Sequence, residues 1–93
     1  MNWIALCINH SDTFDEWFDK DLYNWQDSYY LAQFCSNHFD KWFDKDKYNW
    51  FYSYSLANYC SEHIVKWYPY YPNKEELELT PIQIAKLRNA GLI

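Results

Sequence analysis

The residues best suited to chemistry are three cysteines and three histidines, which all fall in the pattern Cys-x-x-His. The pairs are Cys7/His10, Cys35/His38 and Cys60/His63. Thiolate and imidazole are preferred ligands of zinc, and two neighbouring motifs supply the four that a structural site needs. Cys35, His38, Cys60 and His63 are therefore candidate zinc ligands. The alternative is structural, with cysteine as a small buried residue and histidine as a turn-forming or hydrogen-bonding one.

Catalysis is less well supported by the same residues. A Cys-His pair can act as a nucleophile and its base, but the chain repeats the pair three times and has no Gly-rich loop to hold an oxyanion. Repeated aspartates could pair as acid and base, yet Lys20 and Lys45 stand between them. The aspartates are Asp15/Asp40, Asp19/Asp44 and Asp21/Asp46. These patterns favour solvation and helix capping, and we expect no enzymatic activity.

The motif belongs to a larger repeat. Aligned without a gap, residues 39–63 match residues 14–38 at 17 of 25 positions. A partial copy occupies residues 1–13, in which Cys7-Ile8-Asn9-His10 aligns with Cys35-Ser36-Asn37-His38 if Ser11, Asp12 and Thr13 are an insertion. A truncated copy follows at residues 64–68. The sequence therefore predicts one domain with helical repeats over residues 1–68.

Composition indicates that the repeats are helical. The only glycine is Gly91, whereas tight β-hairpins need residues at positive φ. Asn24 and Asn49 are placed to cap helices, and small or apolar residues follow at helical spacing. We expect an all-α fold of short tandem repeats, an α-solenoid-like stack with two helices per copy. One continuous helix over residues 25–43 is the alternative. A unit of this size needs its neighbours to bury its apolar face.

Residues 69–93 are predicted to end the stack. The prolines of Pro69-Tyr70-Tyr71-Pro72 terminate the helical pattern and begin a linker. Thr80 and Pro81 have the residue types of a helix start, and Gly91 that of a helix end. We expect this last helix to cover the exposed end of the stack with its apolar residues. These are Ile82, Ile84, Ala85, Leu87 and Leu92.

Aromatic residues are the other candidates for function. Trp17, Trp42 and Trp67 recur at one position per copy, either as core residues or as an exposed column that binds a peptide. Tyr70 and Tyr71 are further candidates for contact with another protein. The net charge of −5 argues against nucleic-acid binding. We also expect no membrane span, no signal peptide and, with three cysteines, a reducing cytoplasmic location.

The run Cys-Ser-x-His-Phe-Asp-x-Trp-Phe-Asp-x-x-x-Tyr-Asn-Trp resembles aromatic-rich repeats in uncharacterised proteins of large DNA viruses. The resemblance covers about residues 3–68 and implies a protein of the host cytoplasm or of the virus particle. Together these patterns favour a non-enzymatic module for protein–protein interaction or assembly, acting on a protein partner or through self-association. The alternatives are a zinc-stabilised binding module and a structural component of the virion.

Overall fold

The computed structural model describes residues 2–93, and every regular element in that range is helical. The predicted all-α class is confirmed. Seven α-helices occur in this range: α1 (Trp3–Asn9), α2 (Phe14–Trp17), α3 (Ser28–Phe34), α4 (Phe39–Trp42), α5 (Ser53–Tyr59), α6 (Ile64–Trp67) and α7 (Pro81–Asn89). Short 3-10 turns lie at Ser11–Thr13, Trp25–Asp27, Ser36–His38, Trp50–Tyr52, Ser61–His63, Tyr68–Tyr70 and Lys74–Glu76.

Helices α3 and α5 begin in the same way because an asparagine caps the 3-10 turn before each of them. The Asn24 side chain accepts a hydrogen bond from the Gln26 N–H at 3.3 Å, and Asn49 accepts one from the Phe51 N–H at 3.2 Å. Asparagine is favoured there because its short side chain reaches an N–H group that has no partner within the helix. The predicted asparagine caps are confirmed.

Helix α3 ends at Cys35, where the backbone adopts φ −121° and ψ 27°. The Cys35 carbonyl accepts the Trp42 Nε1–H at 2.7 Å and the His38 N–H at 2.9 Å, instead of a helical i+4 partner. Cys60 repeats this geometry with φ −122° and ψ 31°, and its carbonyl accepts the Trp67 indole at 2.8 Å. The continuous helix over residues 25–43 therefore does not form, and the copies at residues 14–38 and 39–63 each contain two α-helices.

The predicted insertion in residues 1–13 is wrong. Helix α1 ends at His10 with φ −131° and ψ 27°, which is close to the backbone of Cys35. The Trp17 indole donates to the His10 carbonyl at 2.8 Å, as Trp42 does to Cys35. His10 thus occupies the place of Cys35, and one offset of 25 residues holds from residue 3 onward. Cys7 accordingly corresponds to Ala32 and not to Cys35.

The core runs along the chain as a continuous set of buried aromatic and aliphatic side chains. Helix α1 packs against α3, α3 against α5, and α6 against α7. The molecule is elongated, with extents of 40 × 23 × 19 Å. Fully buried large side chains occur in every part of it: Phe14, Leu31, Phe39, Trp42, Leu56, Ile64, Trp67 and Leu87. No helix within residues 2–93 has the length and apolar character to cross a membrane.

Helix α7 has the predicted start and end. The Thr80 hydroxyl accepts the Gln83 N–H at 3.2 Å, and the Gln83 side chain accepts the Thr80 N–H at 3.0 Å, which is a capping box. Gly91 has φ 73°, and the N–H groups of Gly91 and Leu92 bond to the Arg88 and Leu87 carbonyls in a Schellman motif.

The apolar side chains of α7 contribute unequally to covering α6. Leu87 is fully buried, and Ile84 and Leu92 are half-buried. Ile82 is 71% exposed and Ala85 is also exposed. The prediction that all five residues cover the stack is therefore wrong for Ile82 and Ala85, which lie on the solvent side of the helix.

Candidate interaction surface

The thiols of the predicted zinc site are core groups. Cys35 and Cys60 have no exposed surface, and the Cys60 thiol donates to the Ala32 carbonyl at 3.7 Å. A hydrogen bond with Cys7, together with burial, raises the pKa of Cys35. Burial raises the pKa of Cys60 to about 12. Both thiols therefore lie in the core of the protein, without contact with solvent.

The imidazoles of the predicted zinc site stack on the phenylalanine that begins their own copy. The His38 ring stacks on Phe14, with centroids 4.7 Å apart, and its Nε2 lies 2.8 Å from the Ser11 carbonyl oxygen. His63 stacks on Phe39 in the same way at 4.5 Å. Across residues 2–93, no three side chains of His, Cys, Asp or Glu come together with the spacing of a metal site. The structure does not assemble the four predicted ligands.

The predicted interaction residues divide into buried and accessible ones. Trp42 and Trp67 have no exposed surface and Tyr71 is 6% exposed. These three are core residues, and for Trp42 and Trp67 this is the core alternative stated above. Contact of these rings with a partner stays a prediction. Trp17 is half-buried and Tyr70 is 46% exposed, so these two remain available at the surface.

A cleft lined mainly by tyrosines lies beside helices α3 and α5, and we call it the tyrosine cleft. It has a volume of about 340 Å³. Its walls come from α1, α3, α5 and the 3-10 turns before α3 and α5, and include Ile4, Asp27, Tyr29, Tyr30, Tyr52 and Tyr54. No lysine or arginine lines it. Sequence reasoning did not find this site.

Tyr29 is the centre of the aromatic contacts around the cleft. Its ring centroid lies 5.5 Å from that of Tyr30, 5.8 Å from Tyr52, 5.9 Å from Tyr59 and 6.0 Å from Tyr54. All four pairs are strongly inclined, as aromatic quadrupoles prefer. The Tyr29 and Tyr59 hydroxyls are 3.2 Å apart, and this hydrogen bond raises the pKa of Tyr29 to about 12.

The two helices bring these rings together because they carry tyrosine at corresponding positions. Tyr29 and Tyr54 are 25 residues apart and lie in the first turns of α3 and α5, which pack on each other. Tyr52 stands where the copy at residues 14–38 has Asp27, and Phe51 stands where it has Gln26. The signal that sequence reasoning overlooked is this replacement of polar by aromatic residues between otherwise similar copies.

Aromatic side chains continue from the cleft to the open surface. Phe51 is 80% exposed, Tyr54 47% and Tyr59 37%. The Phe51 ring packs edge-on against Tyr52 at 5.2 Å. We call Tyr29, Phe51, Tyr52, Tyr54 and Tyr59 together the aromatic face. Contiguous exposed apolar surface of this kind marks interaction sites in monomeric proteins.

Comparisons with known proteins give no relative from which a role could be inferred: no family model, no curated protein and no solved structure matches the chain. The similarity to viral aromatic-rich repeats therefore stays a prediction, as does location in the cytoplasm or in a virus particle. The function must be argued from the surface itself.

Proposed function

We propose that the chain is a short α-helical solenoid that binds a protein partner through its aromatic face and catalyses no reaction. The observation that carries the proposal is the exposure of neighbouring aromatic rings on α5 and the turn before it, with Phe51 80% exposed. Such rings have only two side-chain torsions, so they contribute a large contact area at a low cost in conformational entropy. Aromatic anchors also supply much of the energy of known interfaces.

The solenoid part of the proposal is supported by a contact that recurs at an offset of 25 residues. His38 reaches back to Phe14, and His63 reaches back to Phe39, with nearly parallel rings in both cases. Thr13 stands at the position of this histidine 25 residues earlier, and Ile64 stands at the position of the phenylalanine 25 residues later. The stack is therefore formed only where both residue types are present.

Ion pairs between copies follow the same rule. The Lys41 ammonium lies 2.7 Å from the Asp15 carboxylate, and Lys66 pairs with Asp40. The copy at residues 14–38 has Glu16 at the lysine position, and the truncated copy at residues 64–68 has Val65 at the aspartate position. These exposed pairs add little stability, but the loss of one partner at each end disfavours stacking of whole molecules end to end. We therefore favour a different protein as the partner over assembly of identical chains.

Site-specific photo-crosslinking tests this function. We expect a chain carrying benzoyl-phenylalanine in place of Phe51 to form a discrete crosslinked product with a protein from its native source. The same probe in place of Ile82, which is 71% exposed on α7, is the matched control and should give no such product. The Phe51 product should disappear when Tyr54 is changed to Ser.

Two results would contradict the proposal. One is the absence of any product from position 51 although the labelled chain has the helical content of the original. The other is an identical set of products from positions 51 and 82, because unselective contact would then explain both.

A further inference from the structure

We propose that the tyrosine cleft binds a methylated ammonium group, presented as a methylated lysine side chain of the partner. The inference rests on the proposed function and names the chemistry that this surface recognises. It is carried by three mutually inclined tyrosine rings that line the same cleft as an acidic side chain, with no lysine or arginine in the lining.

The ring geometry suits a cation. The centroids of Tyr29, Tyr52 and Tyr54 form a near-equilateral triangle with sides of 5.8, 6.0 and 6.2 Å. Their planes are mutually inclined by 55–69°. A cation seated over the middle of this triangle lies within about 6 Å of all three centroids, which is the range of cation–π attraction. Three rings that meet at such angles form the walls of an aromatic cage.

The charge of the cleft also favours a cation. The half-buried side chain of Asp27 lies in the cleft wall, and within residues 2–93 its carboxylate forms no ion pair or hydrogen bond with another side chain. The chain as a whole carries a net charge of −5. A cationic ligand therefore gains from a nearby carboxylate and from the overall field. A phosphocholine head group is disfavoured because its phosphate would find no basic side chain.

Methylation is inferred from the ring faces, which attract a cation but have no lone pair that accepts a hydrogen bond. A free lysine ammonium has three N–H donors that need acceptors when it leaves water. The Asp27 carboxylate can accept from one of them, whereas ring faces replace acceptors poorly. A trimethylated ammonium keeps its charge but has no N–H group, so the cleft can desolvate it at a lower cost.

The ligand prediction can be tested with isolated probes and the full chain. We expect N-acetyl-trimethyllysine amide to shift the NMR resonances of the Tyr29, Tyr52 and Tyr54 rings in a saturable manner. N-acetyl-lysine amide should bind roughly tenfold more weakly, because it must leave N–H donors unpaired. Phosphocholine should bind no better than the unmethylated amide.

Variants test whether the residues of the tyrosine cleft, and not the rest of the surface, bind the trimethylated probe. Tyr52→Leu keeps apolar bulk but removes the ring quadrupole, and Asp27→Asn removes the charge while keeping the shape. Each should weaken binding of the trimethylated probe by roughly three- to tenfold. Tyr70→Leu is the matched control, since Tyr70 is 46% exposed but lies outside the cleft, and it should leave binding unchanged. Circular dichroism verifies that each variant folds.

The outcomes distinguish this inference from the proposed function. Equal binding of the methylated and free lysine probes, tighter binding of phosphocholine, or no shift of the cleft tyrosines at millimolar probe would overturn the methyl-ammonium site. A crosslink from position 51 together with one of these results would leave the interaction function standing. Saturable binding of the methylated probe with no crosslinked protein would support the cleft chemistry and contradict the protein partner.

Discussion

Trp42 and Trp17 stand at the same position of two copies and make the same hydrogen bond, yet their burial differs. Both indoles donate to the carbonyl that ends the preceding helix, at 2.7 and 2.8 Å. Trp42 has no exposed surface, whereas Trp17 is half-buried. Comparison of these two tryptophans therefore separates the contribution of packing to stability from that of the hydrogen bond.

We expect Trp42→Ala to lower the free energy of unfolding by about 3–5 kcal/mol, because it leaves a large cavity in the core. Trp17→Ala removes the same hydrogen bond but less buried area, and its cost should be clearly smaller. Urea denaturation followed by circular dichroism measures both. Equal losses for the two variants would show that the hydrogen bond, and not burial, determines the cost.

The residue types in the sequence predicted only part of the candidate interaction surface. Repetition of tryptophan correctly suggested core residues for Trp42 and Trp67, but the pattern did not distinguish them from Trp17. Burial depends on whether a neighbouring copy covers the ring, and this is a tertiary property. The tyrosine cleft was missed for a related reason, since Tyr29 and Tyr52 meet only after α3 and α5 pack together.

Among the helices and turns, those defined by local chemistry were the most predictable. Asn24, Asn49, Thr80 and Gly91 were each assigned a capping role from residue type, and each has it. These contacts lie within a few residues of the cap, so the sequence contains the whole interaction. The same reasoning favoured two helices in each copy.

The alignment of α1 with the later copies could not be determined from a short stretch of identical residues. The match of Cys7 and His10 to later Cys-x-x-His motifs outweighed the weaker evidence of Leu6, which lies 25 residues before Leu31. The structure buries Cys7 at the position of Ala32, where its thiol lies 3.5 Å from the Tyr23 hydroxyl. A small apolar side chain is what the packing requires there, and cysteine meets that need without any part in a motif.

Helix α7 should stabilise the chain through one side chain. Leu87→Ala is expected to cost about 2–5 kcal/mol, because Leu87 is fully buried in the contact between α6 and α7. Ile82→Ala, on the exposed side of the same helix, should change stability by about 0.5 kcal/mol at most. Thermal or urea unfolding of both variants tests this expectation. A small effect of Leu87→Ala would mean that α7 is dispensable for the fold.

At the scale of the whole molecule, the two ends of the chain differ from its middle. Thr13 and Glu16 stand at the positions of His38 and Lys41, and Ile64 and Val65 stand at the positions of Phe39 and Asp40. Helix α7 also packs on α6. We therefore do not expect molecules to join end to end through contacts of the kind seen within one.

We expect the isolated chain to sediment as a monomer, because end-to-end stacking would form neither the histidine–phenylalanine stack nor the lysine–aspartate pair. Analytical ultracentrifugation at several concentrations measures this directly. Dimers or longer assemblies that grow with concentration would favour the alternative of a self-assembling structural component. Loss of such assemblies in a Phe51→Ser variant would place the contact on the aromatic face.

The copy at residues 39–63 carries both halves of the ion pair that joins neighbouring copies. Its Lys41 pairs with Asp15 of the preceding copy, its Asp40 pairs with Lys66 of the following one, and its Phe39 and His63 stack on each other. Such a segment can be inserted again by gene duplication without redesigning either terminus. If the copies stack as proposed, each added copy would lengthen the molecule and bring another tyrosine at the position of Tyr54, so the length of ligand that the protein contacts would depend on the number of copies.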